Sequence, residues 1–181
     1  ASLLDEGTAA AEAMNMFFSN RTKEQKKIEA NKFFVSETVL PQTVAVLRTR
    51  AEGLGIEIVI AEDISEIDET YFGALFQYPA KTGKIEDYAS VIKELKNKDI
   101  QVVVASDILA LVKLKSPAEL GADCAVGTSQ RFGIPMGYGG PHAAFFACKE
   151  TYKRDIPGRI IGVSQDMYGK RALRMALQTR E

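Results

Sequence analysis

Tyr71-Phe72-Gly73-Ala74-Leu75-Phe76-Gln77-Tyr78, a loop from Pro79 to Gly83, then Ile85, Tyr88, Ile92 and Leu95 at helical spacing, then Ile100-Gln101-Val102-Val103-Val104-Ala105: this run decides the fold. Two short runs of aromatic and β-branched residues flank one amphipathic stripe, which is the pattern of a strand, a helix and a second strand. Asn97 and Lys98 end the helix. Strands that are apolar on successive residues need cover on both faces. The run therefore predicts a mostly parallel sheet between helical layers, an α/β fold.

The same alternation extends upstream. Lys32-Phe33-Phe34-Val35 reads as a strand, and Pro41 suits the first turn of the helix that follows. Val44, Leu47, Ala51 and Leu54 share one face of that helix, and Gly53 and Gly55 stop it. Ile56-Glu57-Ile58-Val59-Ile60 is the next strand. The acidic stretch from 62 to 69 lacks a calcium-loop pattern and reads as a turn. Residues 3 to 18 predict a helix whose small residues at 9 to 11 permit close packing, and residues 20 to 27 predict a charged, solvated link. Downstream, Cys124-Ala125-Val126 and Ala143-Ala144-Phe145-Phe146-Ala147 are further strands.

Composition sets bounds on function. With 46% hydrophobic and 26% charged residues in 181, the chain suits one folded domain, 1–181, rather than a disordered segment. A net charge of -1 and the lack of interleaved aromatic and basic residues argue against a nucleic-acid partner. No apolar run is long enough to cross a membrane, and the start lacks the features of a signal peptide. Cys124 and Cys148 lack CxxC spacing and sit in apolar runs, so they read as buried thiols in a reducing, cytoplasmic compartment. The single histidine, His142, excludes a multi-histidine metal centre. A helix at the very start and an element running out at residue 181 lead to the expectation of a fragment of a larger protein.

Candidate chemistry gathers in the second half. Asp107 falls just beyond the strand 100 to 105, where open α/β sheets hold ligands; it reads first as a helix cap and second as a partner for a ring nitrogen or a cation. Ser116-Pro117-Ala118-Glu119 has the form of a capping box. The stretch Gly127-Thr128-Ser129-Gln130-Arg131-Phe132-Gly133-Ile134-Pro135-Met136-Gly137-Tyr138-Gly139-Gly140-Pro141-His142 is neither a P-loop nor a dinucleotide fingerprint. It reads as a structural or interface loop, with an anion site strengthened by Arg131 as the alternative. His142 reads as a hydrogen-bonded structural residue, and Tyr152 to Asp155 with Arg159 as a surface turn. Arg171, Arg174 and Arg180 do not share one helical face.

The segments Gln130 to Ala147, Pro157-Gly158-Arg159-Ile160-Ile161-Gly162-Val163-Ser164 and Ala172 to Glu181, with the opening Ala1 to Ala13, resemble the P-protein family of the glycine cleavage system. The resemblance implies a fold-type I, pyridoxal-phosphate-dependent transferase-like domain. It also implies an activity for the parent: decarboxylation of glycine, with aminomethyl transfer to the lipoyl group of H-protein. The family has two related halves, and this chain resembles the N-terminal one. Aligned through Ile134-Pro135, the family's Schiff-base lysine falls on Gln130 and the histidine before it on Ser129, while Asp107 matches the strand-end aspartate that contacts the pyridine nitrogen. A glutamine amide cannot form the imine, and the Arg131 guanidinium stays protonated.

The resemblance therefore implies a non-catalytic half that shapes an active site borne by a C-terminal catalytic half or subunit. No catalytic, cofactor-binding or metal residue is assigned in this chain, no covalently held cofactor is expected, and the chain alone is expected to be inactive. The alternative is a stand-alone module binding an anion or small molecule around 127 to 141. Loss of neighbouring elements is expected to expose apolar sheet surface at Phe33, Phe34, Phe72, Phe76, Phe145 and Phe146.

Overall fold

Strands with apolar side chains on both faces need two covering layers, and the chain supplies them. The computed structural model describes residues 1–158 and 160–177. In chain order its elements are β1 (Ser2–Leu3), α1 (Glu6–Ser19), α2 (Lys23–Lys27), β2 (Lys32–Ser36), α3 (Pro41–Glu52), β3 (Glu57–Ala61), β4 (Tyr71–Tyr78), α4 (Ala89–Asn97), β5 (Gln101–Ser106), β6 (Cys124–Thr128), β7 (Ala144–Cys148), β8 (Ile160–Gln165) and β9 (Arg171–Leu177).

The main sheet runs β1-β7-β6-β5-β4-β2-β3. Pairings from β3 through β6 are parallel; β7 and β1 are added antiparallel at one edge. The change of direction has a local cause. β6 is joined to β7 by the glycine-rich loop and not by a crossover helix, so the chain returns antiparallel, Cys124 opposite Cys148. β8 and β9 form a separate antiparallel hairpin.

The two-residue period of the strands divides the core. Phe33, Val35, Val103 and Ala105 pack under α1 and α3, whereas Phe34, Val102 and Val104 face the α4 side with Ile92 and Leu95. Ala9, Ala10, Ala11 and Ala13 are fully buried, which lets α1 lie close against the sheet and against α3. Met14 and Phe17 fill the gaps, each worth about 2 kcal/mol of burial. Asp5 caps α1 by accepting a 2.7 Å hydrogen bond from the Thr8 N–H. Glycine is required in β6: a Cβ on Gly127 would lie 2.2 Å from the Ser106 carbonyl oxygen and 2.6 Å from the Phe145 ring.

Several expectations need correction. Five of the six phenylalanines named above are buried, and Phe145 is half-buried, because helices cover both faces of the sheet. Exposed apolar residues lie elsewhere, among them Phe132, Met136 and Tyr138 in the glycine-rich loop and Val163, Met167, Tyr168 and Leu173 in the β8–β9 hairpin. The link 20 to 27 is not simply solvated. Thr22 and Gln25 close a capping box on α2, Gln25 is buried and donates to the Asp99 carbonyl, and Arg21 donates to the carbonyls of Phe18 and Ala30. Leu54 and Ile85 lie outside their helices and are exposed.

The capping box of Ser116 and Glu119 forms, but it closes a turn and starts no helix. Tyr152 is half-buried against Phe17, with ring centroids 5.9 Å apart, and burial pushes its phenol well above the usual range. Arg159, Arg180 and residues 178–181 lie outside the described residues; Arg171 and Arg174 are on β9. One strong feature carried no sequence signal. The buried Asp123 carboxylate accepts from the Val102 N–H at 2.9 Å and from Lys149 Nζ at 2.8 Å, and also pairs with Lys96. It ties β5 to α4 and to the end of β7.

Candidate functional site

Parallel strands deliver their carboxyl ends to one edge of the sheet, and the helices that follow begin there. In this chain that edge holds the ends of β4, β5 and β6 and the first turns of α1 and α3. Between them lies a cleft of about 550 Å³, with Asp5, Glu6, Thr43, Thr128, Gln130 and His142 among its walls. The sequence places these groups locally. Asp5 and Glu6 open α1, and Thr43 sits in the first turn of α3 behind Pro41. Thr128 ends β6, and Gln130 begins the single turn after it.

Among the residues lining the cleft, Glu6 has a perturbed environment. Burial pushes its carboxyl up to about 6 from an ordinary 4.5; the neighbouring Gln77 and Thr43 side chains pull it down, and the Asp107 and Asp5 charges push it up. Glu6 Oε1, Thr43 Oγ1, Gln77 Oε1 and Ser106 Oγ have no hydrogen-bond partner among the described residues. Thr43, Gln77 and Ser106 are themselves buried. Four such oxygens at one end of a sheet are costly and call for an explanation.

The candidate residues of the second half are brought to the same edge, but they are paired among themselves. Asp107 Oδ1 accepts the Leu109 N–H at 3.0 Å, so the expected cap forms on a short turn, and Oδ2 receives Arg131 Nε at 3.0 Å. Arg131, the group that would have strengthened an anion site, is thereby committed. Gln130 donates its side-chain amide to the carbonyls of Gly139 at 2.8 Å and Pro141 at 3.3 Å, bracing the loop. Ser129 Oγ donates to the Ala143 carbonyl. His142 corrects the expectation of a structural hydrogen bond: it is exposed on the cleft wall, and its ring makes none among the described residues. Among the described residues there is no cluster of metal-ligating side chains.

The architecture is that of the large sheet domain of fold-type I pyridoxal-phosphate-dependent enzymes. A Burkholderia pseudomallei sphingosine-1-phosphate lyase superposes over 98% of the chain with a TM-score of 0.64 at 12% identity, which speaks for the fold alone. The crystal structure of a glycine decarboxylase (P-protein) of the glycine cleavage system, in inhibitor-bound form, superposes with a TM-score of 0.86 at 31% identity, over 99% of this chain and 41% of that one. Residues 1–181 match the family described as "Glycine cleavage system P-protein", and the chain belongs to that family. Proteins named glycine dehydrogenase (decarboxylating) from Christiangramia forsetii and Flavobacterium johnsoniae are 60% and 58% identical over the whole chain. The chain spans 19% of the length of each.

Pyridoxal phosphate, the cofactor of such enzymes, needs an amine for its aldehyde, a cradle for its phosphate and a partner for its ring nitrogen. The residues of this cleft do not fit it. Among the described residues, no lysine or arginine lines the walls. The first turn of α1, where free N–H groups would attract a phosphate, is capped by the Asp5 carboxylate and carries Glu6 beside it. Asp107, the matched ring-nitrogen partner, already faces a guanidinium.

Proposed function

We propose that this chain is part of the half of a glycine-decarboxylating enzyme that lacks the Schiff-base lysine, and that residues 1–181 form one α/β unit of it. The parent holds pyridoxal phosphate in a catalytic half or subunit, decarboxylates glycine and passes the aminomethyl group to the lipoyl arm of H-protein. This portion builds the scaffold and shapes the active site from the side; none of its residues is catalytic. Its setting is the cytoplasm, where Cys124 and Cys148 stay as thiols.

The observation that carries this reading is Gln130. It occupies the position that the family resemblance assigns to the Schiff-base lysine, and its amide braces the glycine-rich loop through Gly139 and Pro141. A neutral donor there supports loop structure and offers no nucleophile. The exposed Phe132, Met136 and Tyr138 on that loop supply an apolar face for the catalytic half. The test is borohydride reduction of the full-length protein with pyridoxal phosphate, followed by peptide mapping. The expected result is one stoichiometric adduct outside residues 1–181. A saturable adduct on a lysine within this stretch would overturn the reading.

A further inference from the structure

Two cysteines far apart in the chain meet across the sheet. Cys124 opens β6 and Cys148 closes β7, and the antiparallel register sets them directly opposite one another. Their place in the ladder is of one particular kind. The Lys149 N–H donates to the Asp123 carbonyl at 3.0 Å, just outside the pair, so Cys124 and Cys148 do not hydrogen-bond to each other's backbone. In such a pair the Cα atoms are about 4.5 Å apart and the side chains are at their closest. A disulfide needs Cα atoms about 4.4–6.8 Å apart, so the backbone already meets its demand. Both side chains lie on the α1 side of the sheet: Cys124 belongs to the core there, and Cys148 packs against it. The Lys149 ammonium holds the same two strand ends together through Asp123, at 2.8 Å. A cavity of about 170 Å³ has both cysteines in its walls, beside Pro117, Ala118 and Ala122, which is room for a small oxidant.

We propose that Cys124 and Cys148 form a cross-strand disulfide when the protein meets a peroxide, a modification site that joins β6 to β7. In reducing surroundings the two remain thiols. Cys148, half-buried, is oxidised first: its sulfur takes one peroxide oxygen, giving a sulfenic acid and one water. The Cys124 sulfur, 2% exposed, then attacks the Cys148 sulfur. The S–S bond forms, the S–O bond breaks, and the hydroxyl leaves with the Cys124 proton as a second water. Together the thiols lose two electrons and two protons, and the peroxide is reduced to two waters. Burial pushes both thiols above their ordinary value, and the nearby Cys148 adds to the rise at Cys124. Thiolate is therefore scarce, and the join forms slowly, under sustained oxidant. It closes the chain from Cys124 to Cys148 into a ring that contains the glycine-rich loop. The site goes beyond the proposed function and does not rest on it, because it requires neither cofactor nor turnover.

The test exposes the full-length protein to hydrogen peroxide under native conditions. Remaining thiols are then alkylated in denaturant, and the protein is digested without reduction. Mass spectrometry should find the Cys124 and Cys148 peptides joined, two hydrogens lighter than their sum, and separated again by dithiothreitol. The same treatment after unfolding in urea should cut the yield of this pairing by about tenfold, because only the fold holds the thiols together. In Cys124→Ala, Cys148 should stop at the sulfenic acid, which dimedone traps. Both cysteines still alkylated after prolonged exposure would overturn the proposal. So would Cys148 carried to the sulfinic acid without a link, Cys148 joined to a cysteine elsewhere, or equal yields from folded and unfolded protein. The deciding readout comes from the unsubstituted protein, so it does not depend on how well a variant folds.

Discussion

Arg131 Nε lies 3.0 Å from Asp107 Oδ2, so the carboxylate beyond β5 is met by a cation from the loop after β6. The pair is open to solvent, with side-chain exposures of 57% for Arg131 and 29% for Asp107. Screening keeps such a pair weak. A double-mutant cycle with Arg131→Ala and Asp107→Ala, read by urea unfolding, should give a coupling of about 0.5 kcal/mol that shrinks in high salt. A coupling above roughly 2 kcal/mol would mean that the pair is sealed from water in the assembled protein.

Glu6 predicts an unusual pH dependence. Its carboxyl titrates near 6 in the fold against an ordinary 4.5. Between those values the folded state holds the proton more tightly than the unfolded chain. The contribution of this group to stability is therefore present below pH 4.5 and is lost as pH rises through 6. The loss is about 2 kcal/mol at most, since the side chain is only partly buried. Glu6→Gln should remove this slope and be more stable than the parent at pH 8 by up to about 2 kcal/mol. Denaturant midpoints of the two proteins from pH 4 to pH 8 check it; parallel curves would sink the assignment.

Gly127 is confined from two sides, by the Ser106 carbonyl oxygen and by the Phe145 ring. One added methyl group must displace a backbone strand. Gly127→Ala should cost about 1–3 kcal/mol, measured by chemical unfolding. Gly53→Ala is the control: a Cβ there meets nothing within 4 Å and the backbone stays in the helical region, so stability should hold or rise slightly.

Local pattern made much of the sheet readable. Tyr71–Tyr78 and Gln101–Ser106 stand out because both faces of these strands are covered and every second residue has an apolar neighbour on each side. Pro41 marked a helix start because its fixed φ and missing N–H suit a first turn. What escaped depends on residues distant in the chain. β1 exists only because β7 is beside it, and the Asp123 carboxylate reads as an ordinary turn residue until Lys96 and Lys149 are folded around it. The buried polar cluster beside the cleft was hidden for the same reason. Glu6, Thr43 and Gln77 come from three different elements, and the one local hint, two acids opening a helix, has an ordinary explanation as a cap. The phenylalanines misled because a missing neighbour was expected to bare the sheet, whereas α1, α3 and α4 already cover it.

The features that close the cleft to a phosphate-bearing cofactor also bear on heredity. A glutamine codon and a lysine codon differ by one base, so Gln130→Lys is among the shortest steps a gene can take. That step alone would place an amine opposite a capped helix, an unpaired glutamate and an aspartate already claimed by Arg131. A cofactor-holding site here would need changes at Asp5, Glu6 and Arg131 as well. Single intermediates would gain no chemistry, and those that break the Asp5 cap would lose stability of about 1 kcal/mol. On the proposed reading, no graded path leads to such a site, because its parts would have to change together.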